Sequence, residues 1–171
     1  TDNVRYVEEN IYEKWIRRGA PEINDIILTR EAPLGRVGIL KDSSGIFLGQ
    51  RLVMYRSNPD IVDSRFLLYS MLGKNIQGQI KAFGSGSTVE HMRVPDCGKL
   101  IVLLPKLITQ QKIASVLSAY DKLIENNIRR IEILEEMAQR IYKEWFVNFK
   151  YPGHENDKMV DSELGMIPDG W

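Results

Sequence analysis

The sequence predicts an α+β protein: a mixed β-sheet domain with short helices, followed by one long coiled-coil α-helix. Three observations carry this. Short runs rich in β-branched residues alternate with turn signals as far as about residue 105. From Thr109 to Phe146 there is neither Pro nor Gly. Across that same stretch apolar residues recur at steps of four and three, the 3.5-residue repeat of a coiled-coil seam.

Strands are expected at Ile26–Thr29, 37–40, Leu52–Tyr55 and 100–104. Pro33 and Gly35 punctuate one connection, and Asp42-Ser43-Ser44-Gly45 another. Asp63 suits the N-cap of a helix over Ser64–Leu72, because its carboxylate can accept from the free amides of the first turn. A second helix is expected over 76–83, ending in the small polar loop Gly84-Ser85-Gly86-Ser87-Thr88.

Pro105 forbids a helix running in from upstream, and Thr109 can cap the long helix that follows. Its seam is Ile113, Leu117, Tyr120, Ile124, Asn127, Ile131, Leu134, Ala138, Ile141 and Trp145. Asn127 is either a tolerated polar residue near water or a register-setting device. Arg129, Arg130, Glu132, Glu135 and Glu136 read as a solvated face with ion pairs. A surface helix on a globular core drifts towards a 3.6 period and rarely runs so long. The seam therefore calls for a cover: it is expected to pack back on its own domain or to dimerise with a second copy. Tyr151-Pro152-Gly153 stops the helix. An acidic, apolar-poor linker follows, and Ile167-Pro168-Asp169-Gly170-Trp171 reads as the opening of a new element. The expected organisation is thus 1–105, 106–150 and 151–171.

The chain has 171 residues, enough for one domain with an appendage. Its start at Thr1 reads as a fragment or a processed chain. No apolar run approaches the roughly 18 residues needed to span a membrane, and no signal-peptide pattern opens it. Basic and acidic residues balance at 23 each. The balance hides an asymmetry: residues 151–171 carry a net −4, leaving +4 on 1–150. A mildly basic body permits DNA binding without demanding it.

Most catalytic chemistries lack their residues. Cys97 is the one cysteine, so neither an internal disulfide nor a cysteine-rich zinc site can form, and a reducing, cytoplasmic setting fits. Nothing places His91 or His154 beside it, so Cys97 reads as a small packing residue rather than a nucleophile. Two separated histidines are too few for a metal site. Phosphate-cradling glycine motifs are absent. Phe83-Gly84-Ser85-Gly86-Ser87 faintly resembles a methyl-donor loop, but its glycines are out of register and no catalytic tetrad accompanies it. Pro95-Asp96 lacks the Glu-x-Lys that would complete a nuclease signature. No cofactor is expected.

What remains is a polar, basic set on loops. Arg30, Arg36, Gln50 and Arg51 flank turns and strand ends, while Lys81, Ser85, Ser87, Thr88, His91 and Arg93 surround the glycine-rich loop. Arginine forks match guanine, glutamine matches adenine, and small hydroxyls reach phosphate oxygens. Each residue alone reads first as a solvated surface group, and their clustering adds only a little weight to a DNA contact set.

Several motifs, in order, resemble the specificity subunits of type I restriction–modification enzymes. They are Asp25-Ile26-Ile27-Leu28-Thr29-Arg30-Glu31-Ala32-Pro33-Leu34-Gly35, Leu48-Gly49-Gln50-Arg51 and Gly86-Ser87-Thr88. Leu104-Pro105 leading into Gln110-Gln111-Lys112-Ile113-Ala114 resembles the start of that family's spacer helix, and Glu144-Trp145-Phe146-Val147-Asn148-Phe149 its end. Asp161 to Trp171 resembles the lead into a following target-recognition domain. The resemblance implies that 1–105 is most of one target-recognition domain, without its usual opening, and that 106–150 is a spacer that docks methyltransferase subunits and, through them, the restriction subunit. It implies a non-catalytic subunit reading one half of a bipartite target in double-stranded DNA, here as about half of such a subunit. A helix near 55 Å would span roughly 16 base pairs at about 3.4 Å each. Two other readings stand beside it: a coiled-coil assembly module with a protein-binding domain, and the specificity half of a fused methyltransferase-nuclease.

Overall fold

A computed structural model describes residues 6–86, 90–163 and 165–171. The chain divides into two compact units, Thr1–Ala119 and Tyr120–Trp171. The fold is α+β, with small sheets, short helices and one long helix.

In the first unit, strand β1 (Ile26–Thr29) lies between β2 (Val37–Ile39) and β3 (Leu52–Tyr55), antiparallel to both. Ile26 and Leu28 alternate with Ile27 and Thr29, so the first pair faces inward and is fully buried. Helix α1 (Glu9–Ile16) precedes the sheet and has no counterpart in the sequence-based expectation. It buries none of its residues, and its Tyr12 and Trp15 rings lie 6.3 and 5.7 Å from Phe47.

Helix α2 (Ser64–Leu72) begins where expected: the Asp63 carboxylate accepts from the Phe66 amide at 2.9 Å. Helix α3 (Lys74–Phe83) starts one turn-fragment earlier than predicted, directly after the extended Gly73. Leu68 and Met71 of α2 and Ile76 and Ile80 of α3 close over Ile26 and Leu28, with Met92 and Cys97 completing the core. Cys97 ends the short helix α4 (Val94–Cys97). Burial pushes its thiol pKa up, so it remains a protonated packing group.

Residues 100–104 are extended but are not a strand. Leu100 and Val102 pack against the core while Ile101, Leu103 and Leu104 are exposed. Among the described residues no neighbouring strand pairs with this apolar run. Instead the Gln79 side-chain amide accepts from the Ile101 N–H at 2.8 Å and donates to its carbonyl at 3.0 Å. One amide thus occupies the two groups a ladder partner would take.

Helix α5 (Leu107–Tyr142) is 36 residues long, about 54 Å at 1.5 Å per residue, and continues into a π-helical turn, Lys143–Val147. It starts two residues before Thr109, which lies inside the first turn and is not the cap. Gln110, Ala114 and Ser118 are its buried residues. The Gln110 amide donates to the Ile61 and Pro105 carbonyls at 3.0 and 2.8 Å and accepts from the Asp63 N–H at 3.0 Å.

All ten seam residues are exposed, the large apolar ones between 37% for Trp145 and 63% for Tyr120. Within each unit, the described residues leave the seam uncovered. Val116, Leu123 and Met137, at the flanking heptad position, are exposed too and widen the apolar stripe.

The second unit holds the rest of α5 and more than a plain linker. Strands β4 (Met159–Ser162) and β5 (Gly165–Pro168) form an antiparallel hairpin. The Trp171 ring stacks on Tyr151 at 5.3 Å and lies 5.5 Å from both Phe146 and Phe149. An aromatic cluster thus closes the end of the long helix.

Candidate nucleic-acid interface

Where β1 runs out, three backbone segments meet. The Thr29 hydroxyl donates to the Pro33 carbonyl at 2.6 Å and accepts from the Arg36 amide at 2.9 Å, drawing the 30–35 loop into a tight hairpin. Gly35 stands in that loop at φ +90°, and a Cβ there would meet Gln77 Oε1 at 3.1 Å. Gln77 in turn donates to the Gly35 carbonyl at 3.0 Å, tying the loop to α3.

One residue beyond β1, the Arg30 amide donates to the Arg51 carbonyl at 2.9 Å, and the Arg30 carbonyl accepts from the Met92 amide at 2.8 Å. Next to Met92, His91 exchanges two backbone bonds with Ser85, at 3.0 and 2.9 Å, and bridges to Glu31. Gln50, Arg51, Ser85 and His91 are thereby gathered around Arg30 on one rim. Arg36 stands beside it at the start of β2.

The candidates differ in how free they are. Arg36 and Lys81 are exposed and enter no ion pair among the described residues. Gln50 is exposed, and only its backbone carbonyl is engaged, by Arg30 Nε at 2.8 Å. Arg51 makes one loose contact with Glu31 at 3.6 Å and is mostly exposed. The Ser85 hydroxyl lies 3.4 Å from the His91 carbonyl, and His91 is half-buried. Arg93 is exposed but engaged: its Nε bonds the buried Asp96 carboxylate at 2.8 Å, which Lys99 also meets at 2.8 Å. Those two cations, Lys99 first, hold the Asp96 pKa below the usual carboxylate value. Ser87 and Thr88 lie outside the described residues.

Beneath the rim, Arg56 forks onto the Asp25 carboxylate at 2.9 and 2.8 Å and reaches Glu22 at 2.6 Å. The hydrogen bond from Arg56 holds Asp25 below its ordinary pKa. This pair lies at the far end of β1 and secures the strand rather than the rim. Glu31 belongs to the rim and was not among the sequence candidates. A lone glutamate beside an arginine carries no sequence signal that the fold will set it against a second arginine and a histidine. Among the described residues no group of three His, Cys, Asp or Glu is placed to hold a metal, and no helix is long and apolar enough to cross a membrane.

The rim offers amide, imidazole, hydroxyl and guanidinium groups on loops fixed by a small sheet, with unneutralised cations at Arg36 and Lys81. That chemistry suits a polyanion with readable base edges. Comparison with known proteins agrees. The family described as Type I restriction modification DNA specificity domain matches residues 17–136. The chain is 34% identical over 168 residues to the Type I restriction enzyme MjaIX specificity subunit of Methanocaldococcus jannaschii, covering 96% of this chain and 38% of that protein. It is 27% identical to the MjaVIII specificity subunit of the same organism, covering 99% and 39%. It thus spans about two fifths of the length of these curated relatives. A crystal structure of the type I restriction-modification S subunit from M. genitalium shares the fold at a TM-score of 0.60 and 21% identity, over 81% of this chain and 39% of that one.

Proposed function

Because the chain belongs to the type I restriction–modification DNA specificity family, we propose that it reads one half of a bipartite target in double-stranded DNA and contributes no catalytic residue itself. In this reading 1–105 is the target-recognition domain and 106–150 the spacer. Residues 151–171 lead into a second recognition domain. The chain works in the cytoplasm. Methyltransferase subunits dock along the helix, with the restriction subunit reached through them, and cleavage and methylation belong to those chains. The observation that carries the reading is the gathering of Gln50, Arg51, Ser85 and His91 on one rim, with Arg36 and Lys81 exposed and in no ion pair among the described residues.

The roles follow from chemistry. Arg36, Arg51 and Lys81 supply charge to phosphates, each adding about 0.9 to the slope of log affinity against log salt. Gln50 and Ser85 offer donors and acceptors to base edges and phosphate oxygens; Ser87 and Thr88 are proposed for the same role from their residue type alone. Selection from a randomised duplex pool, followed by a salt titration of the winners, tests this. A shared short motif and a steep salt slope are expected. Recovery of no motif, with a flat slope, would sink it and favour a protein-binding module.

The exposed seam supports a second part of the proposal, that this chain pairs through α5 with another copy of itself. Sedimentation across a concentration series tests it; a monomer at every concentration would sink it.

A further inference from the structure

We infer that Arg30 is a positioning residue: its guanidinium clamps the two loop backbones that carry the reading side chains instead of gripping DNA. The inference rests on the DNA-reading role proposed above. It starts from where Arg30 stands, at the continuation of the central strand and half-buried between two segments far apart in sequence. Its Nε donates to the Gln50 carbonyl at 2.8 Å, and its Nη1 to the Met92 carbonyl at 3.0 Å. Its main chain joins the same two segments, through the Arg51 carbonyl and the Met92 amide. Four hydrogen bonds from one residue thus lock the 50–51 turn to the 91–92 segment.

What hangs on that lock is the rim. Gln50 and Arg51 are on one side. On the other, His91 adjoins the fully buried Met92 and is paired by its backbone to Ser85. Met92 fixes the lower edge of that segment in the core, and Arg30 fixes its upper edge against the turn.

The geometry also argues against a direct contact. A guanidinium grips guanine or phosphate through two parallel N–H groups along one edge of a rigid fork. With Nε bonded to the Gln50 carbonyl, the side-on edge of the fork is taken, and Nη1 is engaged by the Met92 carbonyl as well. Lysine could not replace it, because a single ammonium on a flexible stem does not span two carbonyls as a planar fork does.

The test uses the full chain and a labelled duplex of random sequence. Arg30→Met, Arg30→Lys and Arg36→Gln are titrated across a salt series. For Arg30→Met and Arg30→Lys alike, binding is expected to weaken about tenfold, the equivalent of one lost charge-assisted hydrogen bond. The salt slope should match wild type, and the Ser85, His91 and Met92 amides should exchange faster with solvent. Arg36→Gln should instead lower the slope by about 0.9. A slope reduced in Arg30→Met and restored in Arg30→Lys would overturn the clamp, as would variants that bind and exchange like wild type. Where a variant fails to fold, the Nε–H resonance of Arg30 in the wild-type chain decides. A signal unmoved by added duplex supports the clamp, and a large shift overturns it. A wild-type chain with no salt-dependent duplex binding would strike the DNA-reading role, leaving the clamp to be judged on amide exchange alone.

Discussion

Replacing Gln110 with Leu removes three hydrogen bonds at a residue only 1% exposed, while keeping nearly the same volume. The Asp63 N–H is the most sheltered of the three partners left behind, because it lies under the helix start. The Ile61 and Pro105 residues are exposed, so water can reach their carbonyls after modest adjustment. An unpaired buried group costs about 1–3 kcal/mol, and the two carbonyls fall at the low end of that range. The loss should total about 3–5 kcal/mol. Urea denaturation of the full chain, followed by circular dichroism, reads the change in midpoint, and hydrogen exchange at Asp63 reports whether it arises at this joint. A loss below about 0.5 kcal/mol with Asp63 still protected would refute the reasoning. Gln110→Glu sharpens it. A carboxylate still accepts from Asp63 but faces two carbonyls that need donors. That variant should be at least as unstable near neutral pH and should recover as pH falls, because the protonated acid can donate to one of them.

Three further outcomes are expected. Asp25, 2% exposed, is held below its ordinary pKa by Arg56, so its ion pair stabilises the fold above the unfolded value of about 3.9. That contribution fades as pH falls through the lower folded value; Asp25→Asn should cost about 1–3 kcal/mol near pH 7, and the gap to wild type should close once pH lies below that folded value. Urea midpoints at the two ends of that window check this, and a gap that widens in acid would contradict it. Gly84→Ala would place a Cβ 2.9 Å from Leu34 Cδ2 and 3.0 Å from the Lys81 carbonyl. The leucine tip can move but the carbonyl cannot, so thermal melting should show a loss of about 1–3 kcal/mol, and an unchanged melt would show that the turn yields. Ile124→Glu places a charge in the exposed seam; if copies pair through it, sedimentation should show a wild-type dimer and a variant monomer, whereas identical masses would argue against the pairing.

The parts of the fold visible in the sequence are those set by local pattern. The bounds of β1, β3 and α2 follow from short apolar runs, turn chemistry and the Asp63 cap, all within a few residues of one another. Helix α1 carries a helical spacing, Ile11, Tyr12, Trp15 and Ile16, outside the sequence-based expectation, and its contact Phe47 is distant in the chain. Residues 100–104 carry a strand's apolar run, but a strand also needs a neighbour, and Gln79 takes that place. The same divide runs through the candidate interface. Residue type singled out basic and polar loops, but not which side chains the protein itself employs. Arg30 is held by Gln50 and Met92, and Arg93 by Asp96, through contacts made only once the chain has folded. Gln110, a buried anchor, looked like any other glutamine at a helix start.

The two roles of α5 in the first unit fall on different faces. At about 100° per residue, Gln110, Ala114 and Ser118 wind along a strip roughly a quarter-turn from Ile113 and Leu117. Residues that hold the rod to its body are therefore not those it presents outward. A substitution that reshapes the body beneath Ala114 leaves the outward row intact, and one that alters that row leaves the joint intact. The two surfaces can change at separate times, so the body can be remodelled without disturbing the row the rod presents outward.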